Sequence, residues 1–207
     1  MSLLLIRRIV IPGMNLIDEN INLLTELDSN TGDGDHGVTM GKISALIKKR
    51  LRELADDTEL SEALDDLSWD IMNINGGSAG PLWGAFFEGM GIGASMKYKD
   101  DKELIINMLI EGYKNFYSLS KAQPGQKTMI DAIYPATEVL KTQTNINIQD
   151  LALIMAELAE KGAEDTAGMI ASYGRAKSLK EKSIGHKDPG AVSFSLFYRG
   201  IAQGLNQ

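Results

Sequence analysis

Cysteine is absent from this chain, and histidine is limited to His36 and His186. Without cysteine there is no disulfide, no thiolate nucleophile and no cysteine-held zinc or iron–sulfur site. With two histidines a His-rich metal centre has too few ligands, and no Ser-His-Asp constellation is visible. Positive charge is in deficit: 21 Lys and Arg stand against 28 Asp and Glu, a formal net charge of −7 over 207 residues. A nucleic-acid partner wants a basic face, so that class is set aside. Long hydrophobic runs are missing too. The apolar stretch at residues 3–11 is interrupted by Arg7 and Arg8, is far too short to span a bilayer, and lacks the order of charges and cleavage site of a signal peptide. A soluble, cytoplasmic protein with no membrane contact is expected. Finally, no stretch alternates β-branched and polar residues as a half-buried strand does.

What remains is helical periodicity nearly throughout. Between residues 37 and 54, apolar side chains fall at Ile43, Leu46, Ile47, Leu51 and Leu54, with Lys48, Lys49, Arg50 and Arg52 largely off that stripe. Further helices are predicted at residues 60–74, with Ser61 near the start, and at 82–96, 101–119, 128–140, 148–159 and 189–205. Residues 167–173 extend or follow the helix at 148–159. Pro12 suits a first helical turn, so the first long helix is placed at residues 12–27 and residues 1–11 are taken as a tail or turn. About eight helices in one domain give an all-α bundle.

The richest chemistry lies in Asp28-Ser29-Asn30-Thr31-Gly32-Asp33-Gly34-Asp35-His36-Gly37. Crowded carboxylates repel and call for a cation. Hard oxygen donors suit Mg²⁺, which in proteins usually accompanies phosphate. Asp-Gly clusters also form plain turns. A calcium loop of EF-hand type fails on spacing, because position six from Asp28 is Asp33 rather than Gly and position twelve is Thr39 rather than Glu.

Other loops carry phosphate-binding features. Asn75-Gly76-Gly77-Ser78-Ala79-Gly80-Pro81 opens a helix and exposes backbone N–H groups, although a simple connector explains it equally well in isolation. Lys127 and Thr128 sit at a helix start, where a hydroxyl caps the helix or touches a phosphate, capping being the better fit in isolation. Asp188-Pro189 reads as an N-cap and first-turn residue. Arg175 can pair with a phosphate or lie on the surface. Gly37-Val38-Thr39-Met40-Gly41-Lys42 is not a P-loop: three residues, not four, separate its glycines, and Ile43 follows the lysine. Gly89, Gly91 and Gly93 follow no strand, so close helix packing explains them better than a dinucleotide fingerprint.

Taken together, Thr25-Glu26-Leu27-Asp28, the Gly-Asp-Gly-Asp-His-Gly run, Gly76 to Leu82, Pro124-Gly125 with Thr128-Met129, Gly174-Arg175-Ala176 and Ser183 to Gly190 resemble, in order and spacing, the DhaL family of nucleotide-binding subunits of bacterial dihydroxyacetone kinase. The resemblance covers the chain from about Met14 onward. It implies a single-domain eight-helix antiparallel barrel over residues 12–207 with the nucleotide at one end. It implies two Mg²⁺ held by Asp28, Asp33 and Asp35, and ADP or ATP contacted by His36, Gly37, Val38, Thr39, Ser78, Ala79, Ser120, Met129, Arg175, Asp188, Pro189 and Gly190. Three departures from the family pattern stand out. Thr39 stands where members often carry Asn, Ser78-Ala79 inverts the usual small-residue-then-Ser order, and Ser120 lies where a Gly contacts nucleotide in some members.

The activity implied is phosphoryl transfer to dihydroxyacetone, with bound ADP rephosphorylated in place by a phosphohistidine-carrying phosphotransferase subunit. The ketone is carried by a separate dihydroxyacetone-binding kinase subunit. A homodimer is admissible. Two other readings stay open: an ATP-dependent kinase subunit acting on another acceptor, and a non-catalytic nucleotide-loaded sensor that binds a transcription regulator.

Overall fold

The computed structural model of the chain describes residues 2–55, 57–143 and 145–207. Among these residues the regular structure is entirely helical: α1 (Ser2–Glu19), α2 (Ile21–Thr31), α3 (His36–Glu53), α4 (Leu60–Met72), α5 (Ala79–Ser95), α6 (Asp101–Ser120), α7 (Ile130–Thr142), α8 (Ile148–Asp165) and α9 (Pro189–Leu205). A 3-10 turn at Thr166–Gly168 and a 3-10 segment at Arg175–Ser183 lie between α8 and α9. Local chemistry sets several boundaries. The Asp100 carboxylate accepts from Glu103 N at 2.8 Å to start α6, and the Asn147 side chain accepts from Asp150 N at 2.8 Å to start α8. At the start of α9, Asp188 accepts from Ala191 N at 2.7 Å and Pro189 occupies the first turn, as its sequence predicts.

The helices close into a ring. α3 packs on α4, α4 on α5, and so on in chain order to α9, which returns to α1, and α1 meets α3. α2 continues α1 beyond a break at Asn20 and packs on α3 and α9, so α1 and α2 form one stave of an eight-stave antiparallel barrel. Aromatic rings fill its middle. Phe194 of α9 stacks on Trp83 of α5 at 4.1 Å and meets Phe86 and Phe116 edge-on at 5.3 and 5.5 Å. The glycines of α5 serve close packing, as expected. A Cβ on Gly89 would lie 2.3 Å from the Glu111 carbonyl oxygen of α6, and one on Gly93 would lie 2.5 Å from that of Asn107.

Three expectations need correction. Residues 2–11 are neither tail nor turn: they are the first half of α1, with Leu3, Leu5, Ile6, Ile9 and Val10 buried. Arg7 donates to the carbonyls of Leu51 and Leu54 at 2.7 and 2.6 Å, capping the end of α3. The helix runs through Pro12, which removes the bond the Arg8 carbonyl would accept. That carbonyl faces Gly204 of α9, where a Cβ would stand 1.9 Å away. Second, residues 167–173 do not extend α8; the chain makes one 3-10 turn and then runs without helix to Gly174. Third, α4 starts at Leu60, and the Ser61 hydroxyl, already inside the helix, bonds Glu59 at 3.1 Å.

Candidate functional site

Antiparallel alternation sends the N-termini of α3, α5, α7 and α9 to the same end of the barrel. Their N-cap residues, Asp35, Ser78, Met129 and Asp188, all line one cavity of about 690 Å³. That volume suits a nucleotide-sized ligand. Each helix start carries partial positive charge, so the four together favour an anion.

The last turn of α2 and the loop that follows it bring Asp28, Asp33 and Asp35 to this cavity. One oxygen from each lies within 4.8 Å of the others. The loop is fixed from within: Asp28 Oδ2 accepts from His36 N at 3.1 Å, and Gly34 turns at φ 76. Burial, then the neighbouring Asp33 and Asp28 carboxylates, push the Asp35 carboxyl above its ordinary value. The Arg175 guanidinium pairs with Asp33 and approaches Asp35 at 4.0 Å, so a cation already leans on the cluster. Three convergent, partly solvated carboxylate oxygens are a hard donor set of the kind Mg²⁺ accepts, with room left for water and phosphate oxygens.

Part of the lining is apolar. Leu82, Phe116, Leu119, Ala122, Met129 and Tyr173 belong to it, with Phe116 joining the cavity to the barrel core. A planar base fits such a surface better than a phosphate does. Ser120 also lines the cavity, and its hydroxyl is buried without a protein partner, a polar atom left for a ligand. His36 is buried and its ring meets Ser193 Oγ at 3.2 Å; burial holds the ring neutral, with its pKa pushed down to about 4. Asp188, partly buried, lines the cavity wall, and desolvation pushes its carboxyl up to about 7.

Most of the site residues expected from sequence meet here: Asp28, Asp33, Asp35, His36, Ser78, Ala79, Ser120, Met129, Arg175, Asp188, Pro189 and Gly190 all line the cavity. Gly37, Val38 and Thr39 do not. Gly37 lies against α2, where a Cβ would stand 2.2 Å from Thr25 Oγ1. Val38 points outward, half exposed. Thr39 is buried under the glycine loop, and a Cβ on Gly76 would meet its hydroxyl at 2.1 Å, so it supports that loop from below. Sequence reasoning missed Lys127, Tyr173 and Phe116 as cavity residues. Lys127 carried the one available signal, a lysine at a helix start between Gly125 and Thr128.

The DAK2 domain profile matches residues 30–203. The ADP-binding subunit DhaL of the PEP-dependent dihydroxyacetone kinase 2 of Listeria innocua is 33% identical over 194 residues, covering 93% of this chain and 90% of that one. The corresponding ADP-binding subunit DhaL of Escherichia coli is 33% identical over 181 residues, covering 86% of each. Among solved structures, the native dihydroxyacetone kinase of C. freundii superposes with a TM-score of 0.73 at 25% identity, and its complex with AMP-PNP and Mg²⁺ with 0.75 at 24%. This chain spans 33% of that enzyme and 94% of its own length is covered. The eight-stave barrel expected from the resemblance is therefore the fold found. Asp33, Asp35, the glycine loop and the start of α9 all fall within the matched stretch, and the chain belongs to the DAK2 domain family.

Proposed function

We propose that this chain is the ADP-binding subunit of a phosphoenolpyruvate-dependent dihydroxyacetone kinase, working in the cytoplasm with a dihydroxyacetone-carrying subunit and a phosphohistidine carrier. One observation carries the reading: the carboxylate triad, four helix N-termini and an apolar wall face a single nucleotide-sized cavity. The two DhaL relatives, which match nearly end to end, support ADP as the resident nucleotide.

Asp28, Asp33 and Asp35 would hold two Mg²⁺. Bound there, the ions would neutralise phosphate charge and supply Lewis-acid stabilisation for phosphoryl transfer. The remaining work falls to the chain itself. The N–H groups at the starts of α5 and α9 receive phosphate oxygens. Arg175, freed from Asp33 when cations take its place, adds a bidentate donor. Met129, Leu119 and Tyr173 hold the base and keep water from that side. Phosphoryl transfer needs positioning and charge stabilisation more than covalent chemistry from the protein, and this set supplies both.

The test is reconstitution with phosphoenolpyruvate, the phosphotransferase components and a dihydroxyacetone-binding subunit. Dihydroxyacetone phosphate should form only when this chain is present, and Asp33→Ala should abolish it. Product formed without the chain, or undiminished turnover by the variant, contradicts the assignment.

A further inference from the structure

Lys127 is the deepest cation in the molecule's functional end, and neither the triad chemistry nor the nucleotide contacts above use it. It lies in the loop before α7, lines the cavity, and is only 2% exposed. Its backbone sits at φ 57, in the left-handed region that a lysine rarely adopts. Lys121 shares that region, but as the terminating residue of α6, a common use of it. At Lys127 the conformation turns the side chain inward instead. The surrounding loop over-determines it: the Asp131 carboxylate accepts from Gly125 N at 2.5 Å and from Thr128 N at 2.7 Å, and the Gln126 side chain accepts from Gln123 N at 2.7 Å. Strain held in place this way next to a cavity points to a task.

The ammonium group shows what the task is. It donates to the Thr166 carbonyl at 2.6 Å and to the His186 carbonyl, residues 39 and 59 positions away. Those carbonyls belong to the turn that ends α8 and to the segment that leads into α9. The Thr166 hydroxyl in turn accepts from Asp188 N at 2.9 Å. A chain of contacts thus runs from Lys127 through Thr166 to Asp188, the N-cap of α9. Two of the three ammonium protons are committed to backbone carbonyls, so the side chain acts through what it holds.

We propose that Lys127 is a positioning residue for the nucleotide: its buried ammonium clamps the two ends of the segment 166–186 to the start of α7 and, through Thr166, so fixes Asp188 and the α9 N-terminus against the cavity. This rests on the cavity being the nucleotide site.

The test compares the wild type, Lys127→Met and Lys127→Arg for ADP and adenosine affinity in Mg²⁺, with circular dichroism as the check on folding. Lys127→Met is expected to fold and to weaken ADP at least tenfold while adenosine weakens less than threefold, because the α9 N-terminus it positions faces the phosphates; Lys127→Arg, which keeps two donors for the two carbonyls, should recover most of the loss. A purely structural lysine would weaken both ligands alike. If Lys127→Met does not fold, Thr166→Val cuts the same chain one link further on and should weaken ADP at least fivefold. An ADP affinity within twofold of wild type for whichever of these variants folds, or an equal loss for adenosine, overturns the proposal alone. Failure of the wild type itself to bind ADP with Mg²⁺ overturns the nucleotide-site reading and this one with it.

Discussion

Asp188 illustrates how much a single carboxyl is asked to do. It caps α9, borders the cavity, and has its carboxyl pushed up to about 7 by burial. Its folded value lies above the ordinary value of 3.8, so its contribution to stability is fully present below about pH 4 and is lost as pH rises through 7. Asn accepts the same cap bond and carries no charge. In ligand-free protein, Asp188→Asn should therefore gain roughly 2 kcal/mol on wild type between pH 5 and pH 8. Chemical denaturation of both proteins at the two pH values checks this; a constant gap would mean that the carboxyl is already ionised at pH 5. At this scale the triad was legible because crowded carboxylates are visible as letters. Lys127 was not, because its burial is decided by carbonyls that arrive from Thr166 and His186 only in the folded chain.

At the scale of elements, the α1–α9 pair is the most telling. A Cβ on Gly200 would lie 2.1 Å from the Gly13 Cα, and one on Gly204 would lie 1.9 Å from the Arg8 carbonyl, so the two backbones touch. Gly204→Ala gains helix propensity, at most about 1 kcal/mol. It forces the helices apart at a cost of about 1–3 kcal/mol or more. A net loss of stability is expected, read as a lower denaturation midpoint with unchanged m-value. An equal or higher midpoint would show that the contact is looser than described. This pair also explains the error over residues 1–11. Pro12 reads as a helix start because it lacks an N–H, but the carbonyl it leaves unbonded lies where only a glycine fits. Burial of five aliphatic side chains ahead of it then holds the helix, each contributing about 1.5–3 kcal/mol on full burial. By contrast, the periodicity of α3, α6 and α8 and the cap of α9 were readable directly, since local spacing and capping chemistry suffice to define them. Gly37 and Thr39 illustrate the opposite: motif order puts them beside the ligand, while helical phase turns them toward α2 and the glycine loop, off the cavity lining.

For the whole molecule, closure of the ring has a functional consequence. Antiparallel staves deliver alternate helix N-termini to one end, and here four of them converge on the cavity while three carboxylates line it. The chain is acidic overall, so a polyphosphate is repelled at long range and bound only where these local dipoles and cations outweigh the global field. Nucleotide binding should accordingly depend on Mg²⁺ almost completely.

The central claim is a metal-dependent nucleotide site at this end of the barrel, and thermal unfolding of the stripped full-length chain tests it most directly. ADP with Mg²⁺, at about a thousandfold excess over Kd, should raise stability by roughly 4 kcal/mol. ADP alone, and ADP with Mg²⁺ on Asp33→Ala, should raise it little. An equal rise with and without Mg²⁺, or no rise in either case for a protein shown to be folded, would contradict the account.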